Sequence, residues 1–248
     1  IDEDAVAKFG MNAREPIVLC GLKVAEMIFR KLDPDCSFKT SRKDGDRIPT
    51  GETFAVIEGN AQALLTAERV ALNVVQRLSG IAAMAAEYVA KIEGTGAVLL
   101  DSRKTTPGLR NLEKYAIVCG GGRNHRLGLD NGIMLKDNHI AVAGSITAAV
   151  KRAKTHAPIL TKIEVECDNL DQVRECLDAG ADIIMLDNMS NEDMREAVKM
   201  SAGRVPLECS GGVRLDTIRA KAETGVDYVS VGRITQSAPC VDIGLDEI

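Results

Sequence analysis

The sequence predicts a two-domain α/β protein, with an N-terminal α/β sandwich domain and a (β/α) barrel-like domain. Beyond residue 96, short β-rich runs alternate with amphipathic helical stretches, which is typical of parallel βαβ units. Several of the predicted strands end in a polar residue or a glycine, and the carboxyl ends of barrel strands usually carry the chemistry. An open doubly wound sheet would also place ligands there, but the pattern favours the barrel. We predict the sandwich over residues 1–80, completed by 236–248, and the barrel over residues 81–235.

The N-terminal part of the chain changes from turns and short strands to helix. Turn-forming residues such as Asp33-Pro34-Asp35 punctuate the first fifty residues, and Phe54-Ala55-Val56-Ile57 predicts a strand. From Thr66 the apolar residues follow helical periodicity, and Ser79-Gly80 is expected to break or bend that helix. A second helix is predicted over residues 81–92.

The C-terminal part predicts five strands that alternate with helices. The strands are predicted at residues 97–101, 163–166, 182–187, 205–208 and 228–232. Helices are predicted at 170–179, 191–202 and 215–224. Ser190 with Asp193 resembles a capping box, and Gly180 and Gly225 stand where glycines end helices. These signals mark where helices begin and end between the strands.

The composition excludes several classes of protein. With 31 basic and 36 acidic residues among 248, the net charge is −5, which argues against a general nucleic-acid binder. No apolar run reaches the roughly 18 residues of a membrane-spanning helix. The seven cysteines form no CxxC pair and no zinc-like cluster, which indicates a reduced, cytoplasmic protein. Residues 1–4 are unlike a secretory signal, and without an initial Met the native start is expected upstream.

Residues 102–136 form a basic segment in an otherwise acidic chain. Seven cations and two acids give the segment a charge of +5, so the remaining residues carry −10. Such a cluster suggests a small polyanionic ligand, with a solvated surface loop as the ordinary alternative. The ligand is favoured because Ser102-Arg103-Lys104 directly follows a predicted strand. Gly120-Gly121-Gly122 could also bring backbone N–H groups close to an anion.

Motifs spread over the chain carry a family resemblance. They include Ser102-Arg103-Lys104-Thr105-Thr106-Pro107-Gly108, Asn124-His125-Arg126, Lys136-Asp137-Asn138-His139, Glu164-Val165-Glu166, Leu186-Asp187-Asn188 and Ser210-Gly211-Gly212. Together they resemble quinolinate phosphoribosyltransferase, and the resemblance covers nearly the whole chain from about Gly21. It implies an enzyme of NAD biosynthesis that uses magnesium. Such an enzyme converts quinolinate and phosphoribosyl pyrophosphate to nicotinate mononucleotide, pyrophosphate and CO2.

The resemblance also implies which residues form the site. The implied quinolinate-binding residues are Arg69, Ser102, Arg103, His125, Arg126 and Lys136. The implied catalytic residues are Lys104, Lys136, Glu166 and Asp187, of which Glu166 and Asp187 would also hold magnesium. The residues implied to bind the ribose 5-phosphate are Ser210, Gly211, Gly212, Val231, Gly232 and Arg233.

Two of these roles have ordinary alternatives. Arg69 is implied to reach the site of a neighbouring subunit, which requires a homodimer or a higher oligomer with shared sites. It would otherwise be a surface arginine beside Glu68. His125 could equally be a structural histidine held by hydrogen bonds.

Three positions depart from the family pattern. Ser102 stands where the family usually has Thr, and the hydroxyl is kept. Arg233 replaces a small residue and Gln236 replaces a histidine, which leaves the side-chain role of Arg233 open.

Other functions compete with this interpretation. A related phosphoribosyltransferase that acts on nicotinate, or a molybdenum-associated relative, would share much of the site. A catalytically silent phosphosugar-binding scaffold would be favoured by loss of Glu166, Asp187 or Lys136, and all three are present. A generic phosphate-binding barrel would explain Ser210-Gly211-Gly212 but not the cluster of cations.

Overall fold

The computed structural model describes residues 1–248 and divides into two compact units by internal contacts. The first unit comprises Ile1–Ala86, Thr105–Gly122 and Ile234–Ile248, and the second comprises Glu87–Lys104 and Arg123–Arg233. The predicted domain ranges stay a prediction. The contact-based division differs from them mainly because residues 105–122 group with the first unit.

Twelve strands and nine helices follow one another along the chain. The strands are β1 (Val6–Ala13), β2 (Ile17–Val18), β3 (Ser37–Lys39), β4 (Arg47–Ile48), β5 (Thr53–Asn60), β6 (Val98–Leu100), β7 (Ile133–Leu135), β8 (Ile163–Cys167), β9 (Ile183–Asp187), β10 (Leu207–Ser210), β11 (Tyr228–Ser230) and β12 (Ile243–Glu247). The helices are α1 (Leu22–Leu32), α2 (Ala61–Ile92), α3 (Arg110–Cys119), α4 (Asp137–Ala143), α5 (Ile146–His156), α6 (Leu170–Ala179), α7 (Asn191–Ser201), α8 (Ile218–Ala222) and α9 (Arg233–Gln236).

The first unit is an α/β sandwich. Its main sheet has the order β12-β1-β5-β3, and all neighbouring strands are antiparallel. Side chains from the sheet, such as Met11 and Ile57, share one buried core with Phe29 of α1 and Leu64 and Leu72 of α2. Fully burying such a side chain stabilises the fold by about 1.5–3 kcal/mol, so this core holds the helices on the sheet.

Helix α2 corrects the prediction of a helix break at Ser79-Gly80. The helix is a single element of 32 residues that runs through both positions. Gly80 lies where a Cβ atom would overlap the carbonyl oxygen of Pro239, so the glycine serves close packing. Ser79 is fully buried, and its hydroxyl accepts the N–H of Cys20 at 2.9 Å. Both residues therefore serve tertiary contacts that local sequence does not reveal.

The second unit contains a parallel six-stranded sheet with the order β6-β11-β10-β9-β8-β7. From β7 to β11 the strands lie side by side in sequence order. Strand β6, which precedes β7 in sequence, lies beside β11 at the other end of the row, as in a barrel whose first and last strands meet. A doubly wound sheet would reverse its order near the middle, so the barrel-like prediction is confirmed. Beside β6, Arg123 forms an isolated parallel bridge with Leu100.

The two faces of this sheet differ in chemistry. The face that carries Val165, Cys167, Ile184 and Leu186 is fully buried, and the Sγ atom of Cys167 lies 3.3 Å from that of Cys176 in α6. The helices therefore pack on this apolar face. Strand register places six polar residues together on the opposite face, here called the polar face: Glu164, Glu166, Asp187, Glu208, Ser210 and Ser230.

Most of the other predicted elements are confirmed, with shifted ends. Helix α6 has the predicted bounds, and Ser190 caps α7 by accepting the N–H of Asp193 at 3.0 Å. Strand β10 begins two residues later than predicted because Pro206 cannot donate to a strand ladder. Helix α8 is shorter than predicted because Thr217 closes a turn with Arg214 before it begins. No bounds were predicted for the remaining elements, which are β7, α3, α4 and α5 in the second half of the fold and β1–β4, β12, α1 and α9 elsewhere.

None of the nine helices combines the length and the apolar character that a membrane crossing requires.

Candidate active site

A loop after α3 fixes His125 beside the end of β6. Arg123 donates its N–H to the carbonyl of Leu99 at 2.9 Å, so the loop runs alongside the strand. Asp101 follows β6 and is fully buried, and its Oδ1 accepts the N–H of His125 at 2.8 Å. The strand end therefore sets the position of the His125 backbone.

Both ring nitrogens of His125 contact groups of the protein. The Nε2 atom lies 2.9 Å from Oε2 of Glu164 and 3.3 Å from Oε2 of Glu208. The Nδ1 atom accepts the backbone N–H of Arg126 at 2.7 Å. A peptide N–H is always a donor, so Nδ1 carries no proton and the ring is protonated at Nε2. These are hydrogen bonds of the kind that hold a structural histidine, and the implied contact of His125 with quinolinate stays a prediction.

The two carboxylates beside His125 favour the protonated form of the cluster of His125, Glu164 and Glu208. Burial lowers the pKa of His125, but hydrogen bonds to the two carboxylates outweigh burial and raise the pKa above its ordinary value. Burial also raises the pKa of Glu208 above its ordinary value. Because Nδ1 accepts the N–H of Arg126, the ring proton lies on Nε2, where it faces both carboxylates.

This cluster has the residue types of a metal site, and the ring geometry argues against one. The three possible ligand atoms lie within 4.8 Å of one another. A metal ion at Nε2 would displace the ring proton, and Nδ1 already acts as an acceptor. A neutral imidazole keeps one of its two ring protons, so the arrangement fits a shared proton better than a metal ion.

Arg126 and Arg103 form a cationic pair. Arg126 donates from Nη1 to the carbonyl of Gly132 at 3.0 Å, but its Nε–H is buried without any partner. Burial and the neighbouring Arg103 both lower the pKa of Arg126. Arg103 is exposed and forms no ion pair with a carboxylate. Two guanidinium groups that repel one another, one with a buried free donor, are the features of a site for an anionic ligand.

Lys136 and the acidic strand ends lie on the polar face of the same unit. Lys136 forms an ion pair with Glu166 of β8. Asp187 ends β9 and accepts a hydrogen bond from the side chain of Asn188 at 2.7 Å. The structure thus brings Lys136 to Glu166 and places Glu166 and Asp187 on one face of adjacent strands.

The loop after β10, where the resemblance implied a phosphate site, has an unusual backbone conformation. Gly211 and Gly212 have φ values of +88° and +60°, and neighbouring Asn188 is also left-handed, with φ of +53°. A Cβ atom on Gly211 would overlap the Asn188 side chain and lie 2.9 Å from its backbone nitrogen. Only glycine fits here without strain.

Gly232 lies against two other predicted site residues. A Cβ atom on Gly232 would lie 2.8 Å from Cδ of Lys104 and 3.5 Å from Oγ of Ser102. The same hydroxyl accepts the N–H of Lys104 at 3.1 Å. Val231 donates its N–H to the carbonyl of Leu100 at 3.0 Å, which ties the last loop to β6. The structure therefore brings Ser102, Lys104 and Gly232 together.

Two predicted residues are exposed on the surface of their own units. Arg69 belongs to the first unit, where it is exposed on α2 and lies 3.6 Å from Glu68. Arg233 is exposed, and its charge acts on the buried Tyr88. No contact of either side chain indicates a role in binding.

Sequence reasoning missed the residues that support the site. Glu164 and Glu208 were assigned no role, although charged residues that alternate with apolar ones inside a buried strand are a signal of an inward polar face. In the first unit, the buried Glu113 binds Arg77 at 2.8 Å and the hydroxyl of Thr106 at 2.7 Å. The threonine of the basic motif therefore has a structural partner.

Comparison with known proteins assigns the family. The family description "Quinolinate phosphoribosyl transferase, C-terminal domain" matches residues 81–246, and the corresponding N-terminal domain matches residues 1–79. The chain belongs to the quinolinate phosphoribosyl transferase family. The family prediction made from the motifs is thus confirmed.

Individual relatives of this family match along nearly the whole chain. A probable nicotinate-nucleotide pyrophosphorylase (carboxylating) from Bacillus subtilis is 44% identical over 234 residues, which cover 94% of this chain and 81% of the relative. The structure of NadC from Streptococcus pyogenes is 44% identical with a TM-score of 0.96, and the match covers 100% of this chain and 89% of that one. The nicotinate-nucleotide pyrophosphorylase structure from Francisella tularensis is 40% identical with a TM-score of 0.97, covering 100% and 88%.

Proposed function

We propose that this chain transfers the phosphoribosyl group of phosphoribosyl pyrophosphate to the ring nitrogen of quinolinate. The products are nicotinate mononucleotide, pyrophosphate and CO2, and the step belongs to NAD biosynthesis. The observation that carries the proposal is the pair of Arg126 and Arg103, because the buried Nε–H of Arg126 lacks a partner. A dicarboxylate would supply the acceptor oxygens that this pair lacks. The family of the chain supports the same reaction.

The proposed residues bind and orient the substrates, and none acts as a nucleophile. Arg103, Arg126 and Lys136 would hold the carboxylates of quinolinate so that its ring nitrogen faces C1 of the ribose. Lys104, which lies against Gly232, would meet the phosphoribosyl donor. Charge develops on the ribose ring as pyrophosphate leaves, so positioned groups lower the barrier by electrostatic stabilisation. The quaternised ring nitrogen then accepts the electron pair released when the 2-carboxylate leaves as CO2.

Magnesium is the cofactor that we propose for donor binding, where it would neutralise charge on the pyrophosphate. Glu166 and Asp187 fit this ion, because Mg²⁺ takes one or two carboxylates together with substrate oxygens. Both are only partly buried and lie at the ends of adjacent strands. One oxygen of Glu166 pairs with Lys136, so its other oxygen and Asp187 would hold the ion.

We further propose a cytoplasmic homodimer in which Arg69 completes the site of the partner subunit. Arg69 lies on a face of α2 where Leu65 and Val70 are 39% and 56% exposed. Apolar residues exposed beside an arginine are features of an interface between subunits. The seven cysteines are all free, which fits a reducing compartment.

Isothermal titration with quinolinate, nicotinate and phosphoribosyl pyrophosphate tests the substrate assignment. We expect quinolinate to bind at least about tenfold more tightly than nicotinate, because the second carboxylate adds a charged hydrogen bond. Binding of phosphoribosyl pyrophosphate should strengthen when Mg²⁺ is present. Equal or tighter binding of nicotinate would contradict the proposed acceptor and favour the related nicotinate enzyme.

Gly211→Ala should selectively weaken binding of the phosphoribosyl donor. The added Cβ meets Asn188 at a backbone angle that only glycine adopts easily, so the loop must shift. We expect the KM for phosphoribosyl pyrophosphate to rise by about tenfold or more, as one or more phosphate hydrogen bonds are lost. Steady-state kinetics measure this effect, with quinolinate affinity as the internal control. Gly203→Ala offers a matched control, because Gly203 also has positive φ but has open space around it.

A further inference from the structure

Two buried glutamates of the polar face have no role in the reaction described above. Glu164 and Glu208 are 4% and 1% exposed, and they come from β8 and β10. Each uses Oε2 to contact Nε2 of His125, and each has an Oε1 atom that is buried without a partner. Burying carboxyl groups is costly, so their placement around a single N–H requires an explanation.

The hydrogen bonds form a chain from the strands to the cation pair. Glu164 and Glu208 hold the Nε2–H of His125, and Nδ1 of the same ring accepts the N–H of Arg126. Arg126 is held again at its far end, where Nη1 donates to Gly132. Its Nε–H, between these two anchors, is the donor without a partner. The two glutamates are thus connected through one imidazole to the proposed acceptor-binding arginine.

The direction of these hydrogen bonds separates two possible roles of His125. Since Nε2–H points to the glutamates and Nδ1 has no proton, the ring has no N–H left for a carboxylate of the substrate. His125 can still act on binding by fixing the peptide from which Arg126 projects. A misplacement of about 1 Å in such a group can reduce a rate by about a hundredfold.

We propose that Glu164 and Glu208 are positioning residues, which hold His125 so that Arg126 is aimed at a carboxylate of the acceptor. This inference rests on the proposed function, because it takes the acceptor to be an aromatic dicarboxylate. It assigns the glutamates to acceptor binding and leaves donor binding independent of them.

Imidazole ¹⁵N NMR on the wild-type protein tests the cluster without any variant. The chain has three histidines, so the ring resonances can be assigned with few variants. For His125 we expect an unprotonated Nδ1 and a protonated Nε2, both before and after quinolinate is added. The proposal would be overturned if Nδ1 were protonated. It would also be overturned if the Nε2–H donated to quinolinate instead of to the two glutamates.

Variants test the consequence for binding. Glu164→Met and Glu208→Met remove an acceptor while keeping similar volume, and each should weaken quinolinate binding about tenfold, as expected for one lost hydrogen bond. Glutamine at either position keeps an acceptor oxygen and should recover most of the affinity. The KM for phosphoribosyl pyrophosphate should stay unchanged in all four variants.

A structural carboxylate on the same sheet provides the control. Asp227 accepts the N–H of Leu207 at 2.8 Å, at the opposite end of β10 from the site. Asp227→Asn should lower the melting temperature without changing quinolinate affinity. If the methionine variants left quinolinate affinity unchanged, or weakened both substrates equally as a general folding defect would, the positioning role would be wrong. If wild-type protein failed to bind quinolinate, the proposed function would fail, while the NMR result would still decide the geometry of the cluster.

Discussion

Replacing Lys136 by alanine is expected to reduce quinolinate affinity by about 10- to 150-fold, because a lost hydrogen bond to a charged group costs about 1.5–3 kcal/mol. The lysine lies on the polar face in an ion pair with Glu166, whose side chain is only 12% exposed. Removing the cation also leaves that carboxylate without its partner, and the added negative charge would repel a dianionic substrate. Isothermal titration and steady-state kinetics with quinolinate measure the loss.

A lysine elsewhere in the second unit supplies the control for this variant. Lys199 on α7 is 73% exposed and pairs only with Glu196, one turn away. Lys199→Ala should leave affinity and turnover unchanged, since exposed pairs of this kind contribute little. If Lys136→Ala bound and converted quinolinate like the wild type, the acceptor site would have to lie elsewhere.

Subunit mixing between Arg69→Ala and Lys136→Ala is expected to restore activity that both parent proteins have lost. In the shared-site arrangement, each pocket uses Lys136 of its own chain and Arg69 of the partner. A mixed dimer therefore has one pocket with both lesions and one with neither. Isolated mixed dimers should have about half of the wild-type activity, as expected for a two-fold dimer with one intact site.

The mixed dimers can be isolated by coexpressing the two variants with different affinity tags and purifying on both. If Arg69 acts within its own chain, every pocket in the mixed dimer has one lesion and no activity returns. Absence of recovery in doubly purified dimers would therefore exclude the shared site. Recovery with a wild-type KM for quinolinate would also show that the restored pocket is intact.

The fold could be predicted where local patterns decide it. The βα alternation after residue 96 and the helix signals at Ser190 and Gly180 correspond to β8–β11, α6 and α7 in the structure. Prediction was wrong at Ser79-Gly80, because those residues satisfy tertiary contacts rather than ending a helix. Strand β7 was not predicted, because its residues lie in the basic segment 102–136, which was interpreted as a ligand-binding segment.

The site could be predicted from the sequence only in part. The motifs indicated the cations and strand-end acids, and the structure places Arg103 near Arg126 and Lys136 beside Glu166. The hydrogen bonds of His125 could not be predicted, because its partners come from two strands distant in sequence. Whether Arg69 reaches another subunit is likewise a property of an assembly, which no local pattern specifies.

The most direct test of the central claim is product analysis with quinolinate labelled separately in its two carboxyl groups. The protein is incubated with phosphoribosyl pyrophosphate and Mg²⁺, and labelled CO2, pyrophosphate and nicotinate mononucleotide are quantified. We predict that label in the 2-carboxylate is released as CO2 in equal amount to pyrophosphate, while label in the 3-carboxylate stays in the nucleotide. Formation of nucleotide from nicotinate in place of quinolinate, or no release of CO2, would contradict the account.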